Sequence, residues 1–176
     1  MGLAVMGVAG LLVYYDQPPD ILVDRSGKLM AIRAADGTLL LSQNRSQKSL
    51  RESWTKQAGQ GTKSPLWSSS EDGSLQCGRL GCRGQIRGRK LALLRYPDSP
   101  IQDCNGLDLL VVAGARPPAC DQALLVVDAF DLERKGTHAI WVDAEKIRVE
   151  TVADWQGQRP WSLNSGASVR SVAPEP

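Results

Sequence analysis

Short apolar runs separated by turn residues dominate the sequence from Asp20 onward, a pattern typical of β-strands rather than of long helices. Glycines between the runs suit tight turns, because glycine adopts positive φ without steric cost. The pattern predicts an α+β fold that is mainly β, with few helices. The predicted strands cover residues 20–23, 28–34, 38–41, 74–77, 82–86, 89–95, 107–113, 124–127, 137–142 and 146–151.

Two of these runs, residues 107–113 and 124–127, are almost continuously apolar. Strands covered on both faces have this composition, so we expect these two runs to form the centre of the sheet. Residues 21–41 and 74–95 are predicted as meanders. Residues 137–151 alternate in polarity around a central turn and are predicted as a closing hairpin.

Residues 46–58 (SQKSLRESWTKQA) are the clearest predicted helix. Leu50 and Trp54 are four residues apart and fall on one helical face, and Ser46 is the predicted N-terminal cap. The following residues 59–73 are rich in Gly, Ser, Lys and Pro. We expect an exposed loop there that buries little.

Residues 1–15 (MGLAVMGVAGLLVYY) are uncharged and apolar. A bilayer-spanning helix needs about 20 apolar residues, so we expect this stretch to be the end of a transmembrane helix whose tyrosines lie at the interface. A buried helix of a soluble protein is the alternative. The 42% apolar content predicts one domain, at residues 16–161, and the Ser-, Gly- and Pro-rich residues 162–176 are predicted to be a disordered tail.

The four cysteines form an even set, which after a membrane segment suits an oxidising compartment and two disulfides. The local pairs, Cys77 with Cys82 and Cys104 with Cys120, need the least long-range closure, but the sequence does not choose among the connectivities. A four-thiolate zinc site is an alternative that the wide spacing of Cys104 and Cys120 disfavours. Free buried thiols are the other alternative.

His138 is the single histidine, and one imidazole cannot hold the two metal ions of a dinuclear hydrolase. The sequence contains neither a Gly-x-Ser-x-Gly nucleophile elbow nor a glycine loop that would hold phosphate. We therefore predict a structural His138 and no catalytic residue, bound metal or cofactor. The carboxylates near predicted strand ends are interpreted as solvated surface charges: Asp103, Asp108, Asp128, Asp131 and Glu133.

The segment CGRLGCRGQIRGRK is the most basic part of a chain whose net charge is only +2. A local basic surface of this density can neutralise phosphates. A charged, solvated sheet edge is the alternative, and stacking aromatic residues are missing from the segment. If the strand continues through Gly84, alternation places Arg83 and Arg87 on one face. The predicted nucleic-acid-binding residues are Arg79, Arg83, Arg87, Arg89 and Lys90.

Several separated segments resemble, in the same order, the C-terminal region of ComEC-type competence proteins, and the likeness is closest to the alphaproteobacterial branch. The segments are PPDILVDRSGKLMAIRAADGTLLLS, CGRLGC, Asp103-Cys104, VVDAFDLERKGTHAIW, IRVETV and RPW. The resemblance covers about residues 18–161. It implies a multi-helix membrane protein that moves a DNA strand through the inner membrane during natural transformation.

In many members of that family the C-terminal domain is metallo-β-lactamase-like and carries histidine and aspartate metal motifs. This sequence departs from the pattern. Asp24-Arg25-Ser26-Gly27 stands where the first Asp-bearing motif is expected, and Ala113-Gly114-Ala115 stands where a paired histidine is expected. The resemblance therefore implies a degenerate lactamase-like domain without catalytic residues.

The first functional hypothesis is a non-catalytic domain on the periplasmic side of the bacterial inner membrane. The N-terminal helix attaches it to the membrane, it packs against an upstream membrane domain, and its arginine-rich surface guides DNA. The alternatives are a purely structural or protein-interaction module and a remnant metal-dependent nuclease that uses unrecognised carboxylates.

Overall fold

Five stretches of the chain are described by the computed structural model, namely residues 17–61, 65–70, 73–96, 104–120 and 123–157. The predicted membrane segment at residues 1–15 and the predicted tail at residues 162–176 lie outside them. Within the described residues, the fold is α+β and mainly β, with two five-stranded sheets and few helices, which confirms the predicted class.

The first sheet is antiparallel throughout and combines the predicted meander with the predicted closing hairpin. Its strands are β1 (Ile21–Val23), β2 (Met30–Arg33), β3 (Leu39–Leu41), β9 (His138–Val142) and β10 (Ile147–Thr151). Their order is β10-β9-β1-β2-β3. The long-range pairing of β1 with β9 therefore joins the two ends of the described chain in one sheet.

The second sheet mixes antiparallel and parallel pairs. Its strands, in spatial order, are β4 (Leu75–Cys77), β5 (Gly81–Ile86), β6 (Arg89–Leu94), β7 (Leu109–Val112) and β8 (Leu125–Val127). The first three form the predicted antiparallel meander, whereas β6, β7 and β8 pair in parallel.

The position of β7 matches its composition, because all four of its residues are buried between two neighbouring strands. The prediction that residues 124–127 are also central is wrong, since β8 is the last strand of its sheet. This edge strand is nevertheless apolar because both of its faces are covered. Val127 packs in the core between the sheets, and Val126 packs in a second cluster on the outer face.

Helix α1 (Lys48–Gln57) covers part of the outer face of the first sheet. Trp54 is buried there and Leu50 packs beside it, as the helical spacing predicts. The predicted Ser46 cap is wrong. Gln47 occupies the cap position in a left-handed conformation with no side-chain cap bond, and the Ser46 hydroxyl accepts a hydrogen bond from the Gln43 side chain instead.

Two short helices were not predicted: α2 (Ala129–Lys135) and α3 (Val152–Gln156). Asp128 caps α2 by accepting hydrogen bonds from Phe130 N and Asp131 N. Thr151 and Asp154 form a capping box at the start of α3. Both caps are local polar signals, but each helix is too short to show an apolar period of its own. A 3₁₀ helix also spans Pro118–Cys120.

The main core lies between the two sheets and receives side chains from their inner faces. Ile21, Ile32 and Ile140 come from the first sheet, and Leu93 and Val111 come from the second. A residue from the predicted exposed loop joins them. Trp67 is buried because its backbone N–H bonds to Leu41 O, so the prediction that residues 59–73 bury little is wrong at this position.

The structure contains the disulfides Cys77–Cys82 and Cys104–Cys120, which is the local connectivity. Cys77 and Cys82 are directly opposite each other on β4 and β5, with their Cα atoms 4.0 Å apart. Cys104 and Cys120 are buried over the outer face of β6, β7 and β8. Crosslinked loop residues thus cover this face, as α1 covers part of the other sheet.

Removing Cys104–Cys120 should destabilise the fold more than removing Cys77–Cys82. The sequence separations are 16 and 5 residues, and a longer closed loop restricts the unfolded chain more. We expect the double variant Cys104→Ala/Cys120→Ala to lose about 3 kcal/mol of unfolding free energy, and Cys77→Ala/Cys82→Ala about 2 kcal/mol. Urea denaturation measures both, and the reverse order would contradict the expectation.

Candidate nucleic-acid interface

The structure divides the five predicted basic residues into two groups. Arg87 and Arg89 each form an ion pair, and each donates a hydrogen bond to a backbone carbonyl of the β9–β10 hairpin in the first sheet. The other three have exposed side chains on β5, on β6 and in the β4–β5 turn, and we call them the basic strip: Arg79, Arg83 and Lys90. The arginine density of the sequence therefore reflects two separate environments.

Arg87 lies in the turn after β5, because the strand ends at Ile86 and Arg87 has a positive φ of 46°. Its Nη1 donates to Asp20 Oδ2 at 2.8 Å and to the Val142 carbonyl at 2.6 Å. The expectation that Arg87 shares a strand face with Arg83 is therefore wrong. The turn directs its guanidinium to the first sheet.

Arg89 begins β6 and makes a parallel set of contacts. Its Nη1 donates to Asp108 Oδ1 at 2.9 Å, and its Nη2 donates to the Glu145 carbonyl at 2.7 Å. The backbone N–H of Lys90 and the Arg89 side chain both donate to Asp108, and these bonds lower the pKa of its carboxyl. We call Arg87 and Arg89 together the arginine clamp, since they attach the second sheet to the β9–β10 hairpin.

The basic strip borders the uncovered half of the outer face of the second sheet. On the β4–β5 part of this face, Gln76 and Arg83 form a cross-strand pair, and both side chains are exposed. Gln85 and Lys90 form the next pair on the same face. The uncovered half is thus polar, with cationic and amide side chains that can contact phosphate oxygens.

An aromatic residue also lies next to the basic strip, although the basic segment itself contains none. Arg95 N donates to Leu80 O, which brings Tyr96 beside the β4–β5 turn that carries Arg79. The Arg95 guanidinium stacks 5.5 Å from the centre of the Tyr96 ring, and Tyr96 is half-exposed. The basic segment alone does not show this neighbour, because its position depends on the pairing of β5 with β6.

The carboxylates predicted as surface charges mostly have structural partners. Asp108 binds the arginine clamp, Asp128 caps α2, and Asp131 pairs with Lys135 at 3.1 Å. Glu133 is exposed. Asp103 lies outside the described residues.

The position of the expected first metal motif is filled by hydrogen bonds. Asp24 Oδ2 accepts from Ser26 N, from the Ser26 hydroxyl and from Gln47 Nε2. These groups line an open cavity of about 500 Å³, together with Arg25, Ala129 and Glu133. Among the described residues, no three His, Cys, Asp or Glu side chains lie close enough to share a metal ion.

His138 is buried on β9, and its Nδ1 lies 2.7 Å from the Gly136 carbonyl. Burial lowers the pKa of the imidazole, and this outweighs the Gly136 carbonyl and the carboxylates of Asp131 and Asp154, which raise it. The imidazole bonds to the turn that precedes β9, and it lies on the same face of β9 as the core residues Ile140 and Val142.

Compared with models of protein families, with curated proteins and with solved structures, the chain matches none of them. Within the residues that the structure describes, no helix has the length and apolar character needed to span a membrane.

Arg87→Ala should lower the unfolding free energy by about 2 kcal/mol, because it removes a charge-assisted hydrogen bond from the buried Asp20. Arg79→Ala is the matched control, since it removes an exposed arginine from the other turn of the same meander. We expect it to change stability by less than about 0.5 kcal/mol. Chemical denaturation gives both values, and equal losses would show that the clamp contributes nothing specific.

Stability should also fall on acidification before the carboxylates titrate. The folded-state pKa of His138 is lowered, so the unfolded chain binds its proton first. Stability is full above the unfolded pKa of about 6.5 and is lost from there down to the folded pKa, by at most about 1.4 kcal/mol per pH unit. Denaturation of His138→Gln between pH 7 and about 5 should lack this slope. A slope equal to that of the parent chain would contradict the assignment.

Proposed function

We propose that this chain is a non-catalytic C-terminal domain of a DNA-uptake membrane protein of the ComEC type. In this proposal residues 1–15 enter the inner membrane, residues 16–161 form the domain on the periplasmic side, and an upstream membrane domain is its neighbour. The domain guides DNA by contacting the phosphate backbone. The observation that carries the DNA role is the exposed basic strip beside an uncovered polar sheet face.

The geometry of this surface suits contact with any DNA strand better than recognition of one base sequence. Arg83 and Lys90 are exposed on the adjacent strands β5 and β6, and Arg79 is exposed in the β4–β5 turn. Cations on such a surface neutralise phosphates without reading bases. Tyr96, at the Arg79 end, offers a ring on which an unpaired base can stack. The surface therefore favours single-stranded DNA.

The non-catalytic part of the proposal is supported by the environment of Asp24 and His138. The Asp24 oxygen that faces its turn already accepts three hydrogen bonds, and His138 is buried against Gly136. Two packed sheets with a helix outside one of them suit a degenerate metallo-β-lactamase-like domain. The two disulfides support an oxidising, periplasmic location.

A purely structural or protein-interaction module is the second candidate function. The arginine clamp favours it, because two of the five residues proposed for DNA binding bond the second sheet to the first. The two candidates differ in whether the basic strip binds a polyanion.

The double variant Arg83→Ala/Lys90→Ala should bind single-stranded DNA about tenfold more weakly than the parent chain, because it loses two phosphate contacts. The slope of log affinity against log salt concentration should fall by about 1.4, since each lost contact with a single strand reduces it by about 0.7. Fluorescence anisotropy of a labelled oligonucleotide across a salt series measures both quantities.

Arg45→Ala/Lys48→Ala is the control variant, because it removes the same charge near the start of α1, on the first-sheet side. We expect it to leave the affinity and the salt slope nearly unchanged. An equal loss in this variant would attribute the binding to net charge alone. A parent chain that does not bind DNA at all would favour the structural module.

A further inference from the structure

The outer face of the first sheet is covered by α1 only over β1, β2 and β3, and its β9–β10 part carries a connected set of aromatic and charged side chains. The Arg148 guanidinium lies 3.8 Å from the centre of the Trp141 ring. Arg148 also pairs with Glu150, and Glu150 Oε2 accepts a hydrogen bond from Trp155 Nε1. We call these four residues the aromatic ladder: Trp141, Arg148, Glu150 and Trp155.

Trp155 is the most exposed large apolar side chain among the described residues, at 77% of its surface. It lies on α3 directly after the edge strand β10, and Val152, on the same short helix, is also exposed. The polar groups of Arg148, Glu150 and Trp155 bind within the ladder, and Trp141 Nε1 binds a backbone carbonyl outside it. The outermost group is therefore the apolar part of the Trp155 indole ring. Such a ring, with its N–H satisfied, suits a boundary between water and an apolar phase.

The ladder lies where the chain enters the fold. Trp141 Nε1 donates to the Gln17 carbonyl at 2.7 Å. Tyr15, the last residue of the apolar stretch, is two residues before Gln17 in the sequence. A single residue thus separates the apolar stretch from the residue that Trp141 binds.

We propose that the aromatic ladder lies in the headgroup region of the bilayer that residues 1–15 enter, and that it fixes the domain with the β9–β10 part of the first sheet's outer face against the lipid. This inference rests on the membrane attachment that the proposed function includes. Trp and Tyr concentrate at membrane interfaces, and arginine extends its charge toward the headgroups while its stem stays apolar.

The test uses the full chain reconstituted in phosphatidylcholine vesicles, with and without bromine on the acyl carbons nearest the headgroups. Bromine quenches tryptophan fluorescence at contact distance. All variants, the parent included, carry Trp161→Phe. We expect quenching of this parent, and adding Trp155→Phe should reduce the quenched fraction by about twofold, since Trp54 and Trp67 are buried in the domain and Trp141 is the other tryptophan of the ladder. An unchanged quenched fraction in Trp155→Phe would overturn the proposal.

Leu124→Trp in the Trp155→Phe background is the control, because it restores the tryptophan count at a site of similar exposure. Leu124 is 73% exposed beside β8, the edge strand of the other sheet. We expect acrylamide in the water to quench this tryptophan and brominated lipid to leave it unquenched. Equal lipid quenching at both sites would overturn the fixed orientation.

Two further outcomes would identify the source of a failure. Protection of Trp155 from acrylamide without quenching by lipid would indicate contact with protein, such as a second copy of the chain, and would overturn the lipid contact alone. A chain that does not float with the vesicles would overturn the membrane attachment of the proposed function as well.

Discussion

The carboxylate of Asp20 is the contact on which the arrangement of the two sheets depends. It is 5% exposed at the start of β1, and it accepts hydrogen bonds from Val142 N at 2.8 Å and from Arg87. The backbone of the same residue bonds to β9 through Ile140 O and to β2 through Arg33 N. A buried charge without such partners would cost several kcal/mol. Asp20 therefore fixes three strands of one sheet and a turn of the other at one point.

The arginine clamp explains why the basic segment has a mixed character. Arg87 donates from Nη1 to the Asp20 carboxylate and to the Val142 carbonyl, both in the first sheet. Arg89 uses two nitrogens of its planar guanidinium, one for Asp108 in its own sheet and one for the Glu145 carbonyl of the β9–β10 turn. Arg83 is on the opposite, outer face of its strand. The alternation of side chains along β5 places Arg83 on the outer face, and the turn after β5 directs Arg87 to the first sheet.

A strand pair or side-chain contact could be predicted from the sequence where its two residues are close together along the chain. The hairpins of both meanders were predictable because their pairs are local and their turns carry glycine. The pairing of β1 with β9 and the parallel pairs of β7 were not, because a single sequence shows no sign of partner choice across long separations. The site followed the same rule. The basic segment was visible, but Arg87 meets Asp20 across 67 positions and Arg89 meets Glu145 across 56.

The two proposed surfaces lie on opposite sides of the molecule and are therefore compatible. The sheets share a core through their inner faces, so their outer faces point away from each other. The aromatic ladder is on the outer face of the first sheet, and Arg83 and Lys90 are on that of the second. If the ladder rests on lipid, the basic face turns toward the aqueous side. A DNA strand that approaches from the aqueous side then brings its phosphates to Arg83 and Lys90, and not to the lipid phosphates.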